Sequence, residues 1–480
     1  MELSFELSRS GSKGYSLSPI DDSILIPPIP IEYMRKLPPR LPELSEPEAI
    51  RHFTNLSTLN YHVERGMYPL GSCTMKYNPK VNEYTARMSG FAEIHPFEPE
   101  KCIQGALELL YELSEDLAEI SGMAEVSLLP VAGAHSELVA LLMIKKYFDI
   151  KGERRNKILV PDSAHGTNPA SSVLGGFEPI ELKSDDLGLI DIKHLSQLMN
   201  NEVACLMLTI PNTLGLFESR IEEIVNIAHS VGCIVYLDGA NLNAFLGIVK
   251  SSDMGIDIVH FNLHKTFGTP HGTGGPGGGG IGVTEELEPY LPVPRVIKKD
   301  ENEYGLSYNF PSSIGMVHGF YGNFGVCVKA YTYIKMLGAD GLREVAENAI
   351  INANYLMSEL KKYYELPYPG PCMHEFVLSG DRQAKIGVRT VDIAKRLLDY
   401  GFHPPTVYFP LIVHEALMIE PTETEGLNTL NTFRNVLIKI DEECKTNPDI
   451  VKSAPHNTPV RRLDEALAAR ELDVNFYVAK

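Results

Sequence analysis

Two rhythms of apolar residues organise this chain. Ile103, Ala106, Leu107, Leu110, Leu113, Leu117 and Ile120 recur at steps of three and four, a spacing that predicts an amphipathic helix. Beyond it, short apolar runs alternate with helix-like stretches. The run 126–129 precedes a helix over 135–147, 157–160 a helical 168–174, 205–210 a helix over 219–231, and 233–237 a helical 241–247. Runs alternating with helices predict βαβ units and a mainly parallel sheet of seven-stranded type, covered on both faces. The fold class is therefore α/β. Ligands of such sheets bind beyond the carboxyl ends of the strands, so residues just past each run are the candidates for chemistry.

The ends of the chain read differently. Residues 1–72 carry Pro27, Pro28, Pro30, Pro38, Pro39, Pro42 and Pro47, a density that excludes long helices and interior strands. They predict an extended arm with one short helix near 46–57. Its apolar residues Ile24, Leu25, Ile26, Ile29 and Ile31 suit a segment laid along another surface, such as a second subunit. A large α/β domain is expected over 73–330. A helical stretch at 323–364 then leads into a smaller α+β domain within 331–480, with a strand at 374–378 and helices at 390–400 and 424–443.

Composition narrows the function classes. At 480 residues the chain is long enough for two or three domains of roughly 150 residues, and 44% hydrophobic with 22% charged residues is a globular balance. Its formal charge of −19 argues against nucleic acid as a partner, since a phosphate backbone needs cations. No apolar run reaches the ~18 residues of a membrane span, and the opening residues lack the core of a signal peptide. Seven widely spaced cysteines, never in a C-x-x-C pair, suit reduced thiols and a cytoplasmic setting.

The candidate chemistry sits where the sheet predicts it. Asp238 closes the run 233–237 and is either a crevice-facing carboxylate or the cap of a helix starting near Leu242. Lys265 follows the run 256–261 and is either a crevice lysine or a surface one. Together they form a specific pair. A lysine amine makes a Schiff base with an aldehyde such as pyridoxal phosphate, and a carboxylate keeps that cofactor's ring nitrogen protonated. The helix opening at Ala134 and His135 offers free amides to a phosphate. His165, past the run 157–160, could stack on a flat ring or simply occupy a capping turn. Gly272–Gly280 reads as a phosphate loop or as a tight turn, and it lacks the Gly-Lys-Ser/Thr of a P-loop. A metal site from Asp257, His260, His264 and His271 is disfavoured, because His260 and His264 face alike only on a helix. Cys73, beside Lys76, is a reactive thiol or a quiet one.

Taken together, PLGSCTMKYNP (69–79), AGAHSE (132–137), DSAHGTNPAS (162–171), LDGANLNA (237–244), HFNLHKTFGTPHGTGGPG (260–277), GFYGNFGV (319–326) and HEFVLS (374–379) resemble one family. It is the pyridoxal-phosphate glycine decarboxylase, or P-protein, family of the glycine cleavage system. By length and motif order the chain resembles the carboxyl half of the single-chain form, which is subunit 2 of the split form. The resemblance implies a fold type I pyridoxal-phosphate transferase architecture and an oxidoreductase, glycine dehydrogenase (decarboxylating). It implies that Lys265 carries the cofactor, Asp238 partners the ring nitrogen, His165 stacks on the ring and Ala240 packs on its other face. Ala134 and His135 would hold the phosphate, with His264 also in the cofactor site and no metal.

The resemblance further implies loss of CO2 from glycine and transfer of the aminomethyl group to the lipoyl arm of H-protein. The partners would be glycine, lipoylated H-protein and subunit 1, as a heterodimer or a dimer of heterodimers. Where the family pattern leads one to expect Arg-Pro-x-Ser-Ile-Gly-Arg, the chain has Phe310 and Met316 in place of both arginines. The rival readings are another fold type I enzyme, either an amino-acid decarboxylase or a cysteine desulfurase, and a catalytically silent scaffold subunit.

Overall fold

The computed structural model describes residues 2–16, 18, 29–37, 39–271 and 277–473. They divide into a compact unit of Gly66–Asn457 and a second unit made of residues up to Arg65 together with those from Thr458 on. In the second unit the expected short helix is present as Glu46–Ser57. Ser45 caps it, with Glu48 reaching back to the Ser45 amide. Ile24, Leu25 and Ile26 of the arm, and most of the glycine cluster, lie outside the described residues.

The larger unit is built on seven strands: β1 (Glu125–Ser127), β2 (Lys157–Pro161), β3 (Glu178–Leu182), β4 (Val203–Thr209), β5 (Ile234–Gly239), β6 (Ile258–Asn262) and β7 (Gly279–Val283). Their order across the sheet is β1-β7-β6-β5-β4-β2-β3. Only β7 runs against the rest, being antiparallel to both neighbours. The carboxyl ends of the other six therefore share one edge of the sheet.

Alternation along the strands sorts side chains between two cores. Val235, Leu237, Val259 and Phe261 pack with Leu113 and Leu117 of the helix Gln104–Ser121. Ile234, Tyr236 and Ile258 pack on the other face with Val139, Ala140 and Met143 of the helix Gly133–Lys151. Because the strand period is two, Asp238 and His260 fall on the face that this second helix covers. Both faces are buried, which is why these strands read as unbroken apolar runs.

Other elements were hidden in the sequence. β3 contains Pro179, which argues against an interior strand; the structure places it at the sheet edge, where proline is tolerated. A hairpin of β8 (Arg295–Asp300) and β9 (Glu303–Ser307) also lacked a strong signal. The helix expected at 241–247 is one 3-10 turn, Leu242–Ala244. Polar ties replace it: Asp238 accepts from the Ala240 amide and Asn241 donates to the Pro211 carbonyl. The long helix Phe324–Leu360 is interrupted at Gly338, whose φ of 61° is non-helical.

After that helix come β10 (Phe376–Ser379), β11 (Thr406–Val407) and β12 (Ala416–Ile419), in the order β10-β12-β11. Leu378, Leu417 and Ile419 pack against Phe433 and Leu437 of the helix Leu427–Thr446 and against Leu356 and Leu360. The segment 69–76 crosses this small sheet. Leu70 bridges Ile419, and Gly71 lies on Met418 so closely that a Cβ would sit 2.3 Å from Met418 Cγ. Lys76, 1% exposed in its side chain, ends the crossing. Its Nζ donates to Glu423 Oε1 at 2.7 Å, to the Thr266 carbonyl at 2.6 Å and to Tyr333 Oη at 3.0 Å. Burial alone would lower the Lys76 ammonium, but Glu423 and Tyr333 hold it above its ordinary value.

Two stability outcomes follow from this packing. Gly239→Ala would set a Cβ 2.0 Å from the His260 carbonyl, so it should force β5 and β6 apart and cost ~1–3 kcal/mol in urea unfolding. Lys76→Met should cost ~3–5 kcal/mol by stranding Glu423, and Lys76→Met with Glu423→Leu should recover much of that loss. A double variant no more stable than Lys76→Met would contradict the pairing.

Candidate active site

Asp238 is the penultimate residue of β5 and pairs in register with His260 of β6. It is 3% exposed. Its Oδ1 accepts from the Ala240 amide at 3.0 Å and lies 3.3 Å from His260 Nε2. His260 Nδ1 in turn meets Tyr236 Oη at 2.5 Å, and His260 Nε2 meets Asn262 Nδ2 at 2.6 Å. Tyr236, Asp238, His260 and Asn262 thus form a continuous polar chain on one sheet face. Asp238 Oδ2 takes no hydrogen bond from a described residue, so one carboxylate oxygen at this strand end is open to a donor.

Lys265 follows β6 in the short helix Leu263–Thr266 and is half-buried. Its Nζ donates to the Ser72 carbonyl at 3.1 Å. Lys265 and Asp238 therefore leave adjacent parallel strands at the same edge of the sheet. His264, the neighbour of Lys265, turns inward: its Nδ1 lies 3.0 Å from the Gly278 carbonyl, and its ring centroid is 5.0 Å from that of His271. Burial pushes the His264 imidazole down to about 4, so it is neutral and positions the turn leading to β7.

The helix Gly133–Lys151 opens just past β1, at this same edge. No side chain caps it, and its first internal bond runs from the Ser136 amide to the Ala132 carbonyl. The amides of Gly133, Ala134 and His135 precede that bond, so they stand available to an anion. A Cβ on Gly133 would lie 2.5 Å from Asn262 Oδ1; glycine here is what lets the helix end approach β6. Free amides, a buried carboxylate and a lysine at one edge of the sheet match in chemistry the phosphate, ring nitrogen and aldehyde of pyridoxal phosphate.

His165 lies four residues past the end of β2. Its Nδ1 is 2.9 Å from Thr167 Oγ1, and its ring meets Phe409 edge-on at 5.8 Å. Desolvation by its neighbours and the charge of Lys265 lower its imidazole, against the pull of Asp238 and Glu137. The buried Glu137 accepts from Thr167 Oγ1 at 2.9 Å and from Ser171 Oγ at 2.7 Å. That carboxylate ties the segment after β2 to the first turn of the helix after β1. Ala240 is held by the hydrogen bond that its backbone N–H donates to Asp238 Oδ1.

Several polar groups at the site were not singled out by sequence reasoning. The sequence marks Tyr236 only as part of an apolar run, Asn262 as the first residue past the run 256–261 and His260 as a weak metal candidate. Asn262 in fact closes β6, and the meeting of the three depends on the β5–β6 register. Ser72 and Glu375 lie inside quoted motifs and Glu420 outside all of them, and none of the three has a role assigned from the sequence. Ser72 adopts a left-handed φ of 67°, its carbonyl holds Lys265, and its amide donates to Glu375 Oε2 at 2.8 Å. Strained backbone of this kind, at ~1–3 kcal/mol, persists where its surroundings over-determine it. Where two arginines were expected, the Arg295 guanidinium lies 3.7 Å from the Phe310 ring centroid. Ser313 there donates to the Leu291 carbonyl. Cys327 and Cys372 are buried, and that burial pushes their thiols up to about 12, unlike the accessible nucleophile a desulfurase requires.

Comparison with known proteins accords with this geometry. The family model "Glycine cleavage system P-protein" matches residues 17–306, and "Glycine dehydrogenase, C-terminal domain" matches 345–461. A probable glycine dehydrogenase (decarboxylating) subunit 2 from Chlorobaculum tepidum is 59% identical over 98% of this chain and 99% of its own length. One from Caldanaerobacter subterraneus subsp. tengcongensis is 57% identical over 98% and 97%. Among solved structures, an inhibitor-bound glycine decarboxylase (P-protein) aligns at a TM-score of 0.73 and 21% identity, covering 86% of this chain and 93% of that one. A cysteine desulfurase from Thermococcus onnurineus aligns at 0.62 and 15%, covering 79% and 95%. The two structural likenesses speak for the architecture, that of fold type I pyridoxal-phosphate enzymes. The family model covers more than half of the chain, and the relatives match it nearly end to end: the chain belongs to the glycine cleavage system P-protein family.

Proposed function

We propose that this chain is subunit 2 of a glycine dehydrogenase (decarboxylating), and that it removes the carboxylate of glycine as CO2 and passes the aminomethyl group to the lipoyl arm of H-protein. The observation that carries the reading is the placement of Lys265 and Asp238 at one edge of adjacent parallel strands, facing an uncapped helix N-terminus. Bound pyridoxal phosphate supplies an electron sink for the pair released as the carboxylate departs.

The chain's own residues do the rest. Lys265 Nζ offers the amine that links to the cofactor. Asp238 Oδ2 holds a proton on the ring nitrogen, and the Ala240 amide and His260 keep that carboxylate in place. His165 and Ala240 would line the ring, and the amides of Ala134 and His135 would hold the phosphate. His264 stays neutral and holds the Gly277–Gly278 turn. Transfer of the aminomethyl group would need a disulfide brought in from outside, which forms a C–S bond at one sulfur as its S–S bond breaks and the other sulfur is released as a thiol. That is the role assigned to the lipoyl arm of H-protein.

A partner subunit 1, in a heterodimer or a dimer of heterodimers, is supported by the relatives' shared designation as subunit 2 and by apolar residues that the arm exposes, Ile31 at 84% and Tyr33 at 77%. The large and small domains, within 73–330 and 331–480, would each supply one wall of the site. Among the described residues no helix is long and apolar enough to cross a membrane, which accords with a cytoplasmic setting.

Exchange of labelled bicarbonate into the glycine carboxyl group tests the reading. Exchange is expected when this chain, subunit 1 and a lipoyl carrier are combined, and it should vanish in Lys265→Ala. Asp238→Asn should slow it by roughly 10²-fold or more, since a preorganised charge at the reacting centre is lost. Full-rate exchange by the isolated chain would overturn the need for subunit 1, and wild-type exchange in Lys265→Ala would overturn the assignment itself.

A further inference from the structure

Beneath Lys265 lies a group of buried acids that the proposed chemistry does not use. A ring nitrogen of His374 and one carboxylate oxygen each of Glu375 and Glu420 lie within 4.8 Å of one another, and all three residues are buried. Glu375 Oε2 accepts from the Ser72 amide at 2.8 Å. Glu420 Oε1 accepts from Thr74 Oγ1 at 2.6 Å and from Asn243 Nδ2 at 3.2 Å. Glu375 Oε1, Glu420 Oε2 and both ring nitrogens of His374 have no partner among the described residues. Buried polar atoms left open in this way are costly, and they ask for a reason.

Among the described residues, the groups acting on the pair come from several elements. His374 lies 3.7 Å from Glu375, but burial and the Lys265 charge lower its imidazole to about 3, so it is neutral. Glu423 is committed to Lys76. The Cys73 thiol, also near Lys265, is raised by burial. Lys265 is the cation that acts on both Glu375 and Glu420. Burial raises both acids above the usual carboxylate range; the charge of Glu420 adds to this at Glu375, and that of Glu423 at Glu420. Two like charges this close in a dry site do not both ionise. Ser72 connects the two sides, with its carbonyl on the Lys265 amine and its amide on Glu375.

We propose that Glu375 and Glu420 carry one proton between them, and that their single net negative charge, with the Ser72 carbonyl, is the seat of the Lys265 ammonium whenever that amine is detached from the cofactor. An amine held as its ammonium ion is not a nucleophile, so the seat keeps the freed lysine from re-attacking while substrate occupies its place. Glu375, Glu420 and Ser72 act through Lys265 and are positioning residues. This inference rests on Lys265 being the cofactor lysine. Reductive trapping tests that separately, whereas the readouts below use the full chain without cofactor.

Infrared difference spectra at neutral pH should show the carbonyl band of a protonated carboxylic acid in the wild type and its loss in Glu375→Gln/Glu420→Gln. In the same double variant, reductive methylation of Lys265 at mildly alkaline pH, followed by peptide mass spectrometry, should be faster by roughly tenfold or more, the effect of removing one nearby opposite charge. Glu420→Gln alone should already shift or abolish the band, because the proton is common to both acids. No band in the wild type would mean two ionised carboxylates and would overturn the proposal. A band with unchanged Lys265 reactivity in the double variant would mean a neutral pair and would overturn it equally. So would a band that Glu420→Gln leaves untouched.

Discussion

The parallel pairing of β5 with β6 is the constraint on which the site depends. That register sets Asp238 opposite His260 and lets Lys265 emerge three residues beyond the end of β6, at the edge where Asp238 closes β5. A slip of one residue would turn Asp238 from the face covered by the helix Gly133–Lys151 to the opposite one. Gly239 protects the pairing, because its bare Cα is what admits the His260 carbonyl. The polar chain through Tyr236, His260 and Asn262 then couples the carboxylate to the helix end that would receive phosphate. The electrostatic pattern of the site is therefore a consequence of strand pairing and period.

A second layer comes from the far end of the chain. The segment 69–76 runs over β12 and presents Ser72, Thr74 and Lys76 in turn to Glu375, Glu420 and Glu423. Lys76 also binds the Thr266 carbonyl, one residue from Lys265. This strap joins the small sheet to the segment carrying Lys265 by two hydrogen bonds and one ion pair in a buried setting, where the loss of either partner is expensive. It accounts for a positive φ at Ser72, a residue whose two peptide groups are both engaged.

Much of this was legible in the sequence, and the exceptions have physical reasons. Strands buried on both faces announce themselves as apolar runs, so β2, β4, β5 and β6 could be placed to within about two residues. Asp238 and Lys265 stood out because polar residues directly after such runs must face the crevice or solvent. Pro179 disguised β3, since proline in a strand is compatible only with the edge position that topology later provides. Side-chain bonds of Asp238 and Asn241 turned an expected helix into a single turn, a competition between side chain and backbone that periodicity does not register. Glu375 and Glu420 were invisible as a pair because 45 positions separate them along the chain, and only the β10–β12 pairing brings them together.

The central claim is that Lys265 carries the cofactor. It is tested most directly by loading the full chain with pyridoxal phosphate, reducing with borohydride and mapping the modified peptide by mass spectrometry. The account predicts a single pyridoxyl adduct, on Lys265. An adduct on another lysine, or none at all, would contradict it.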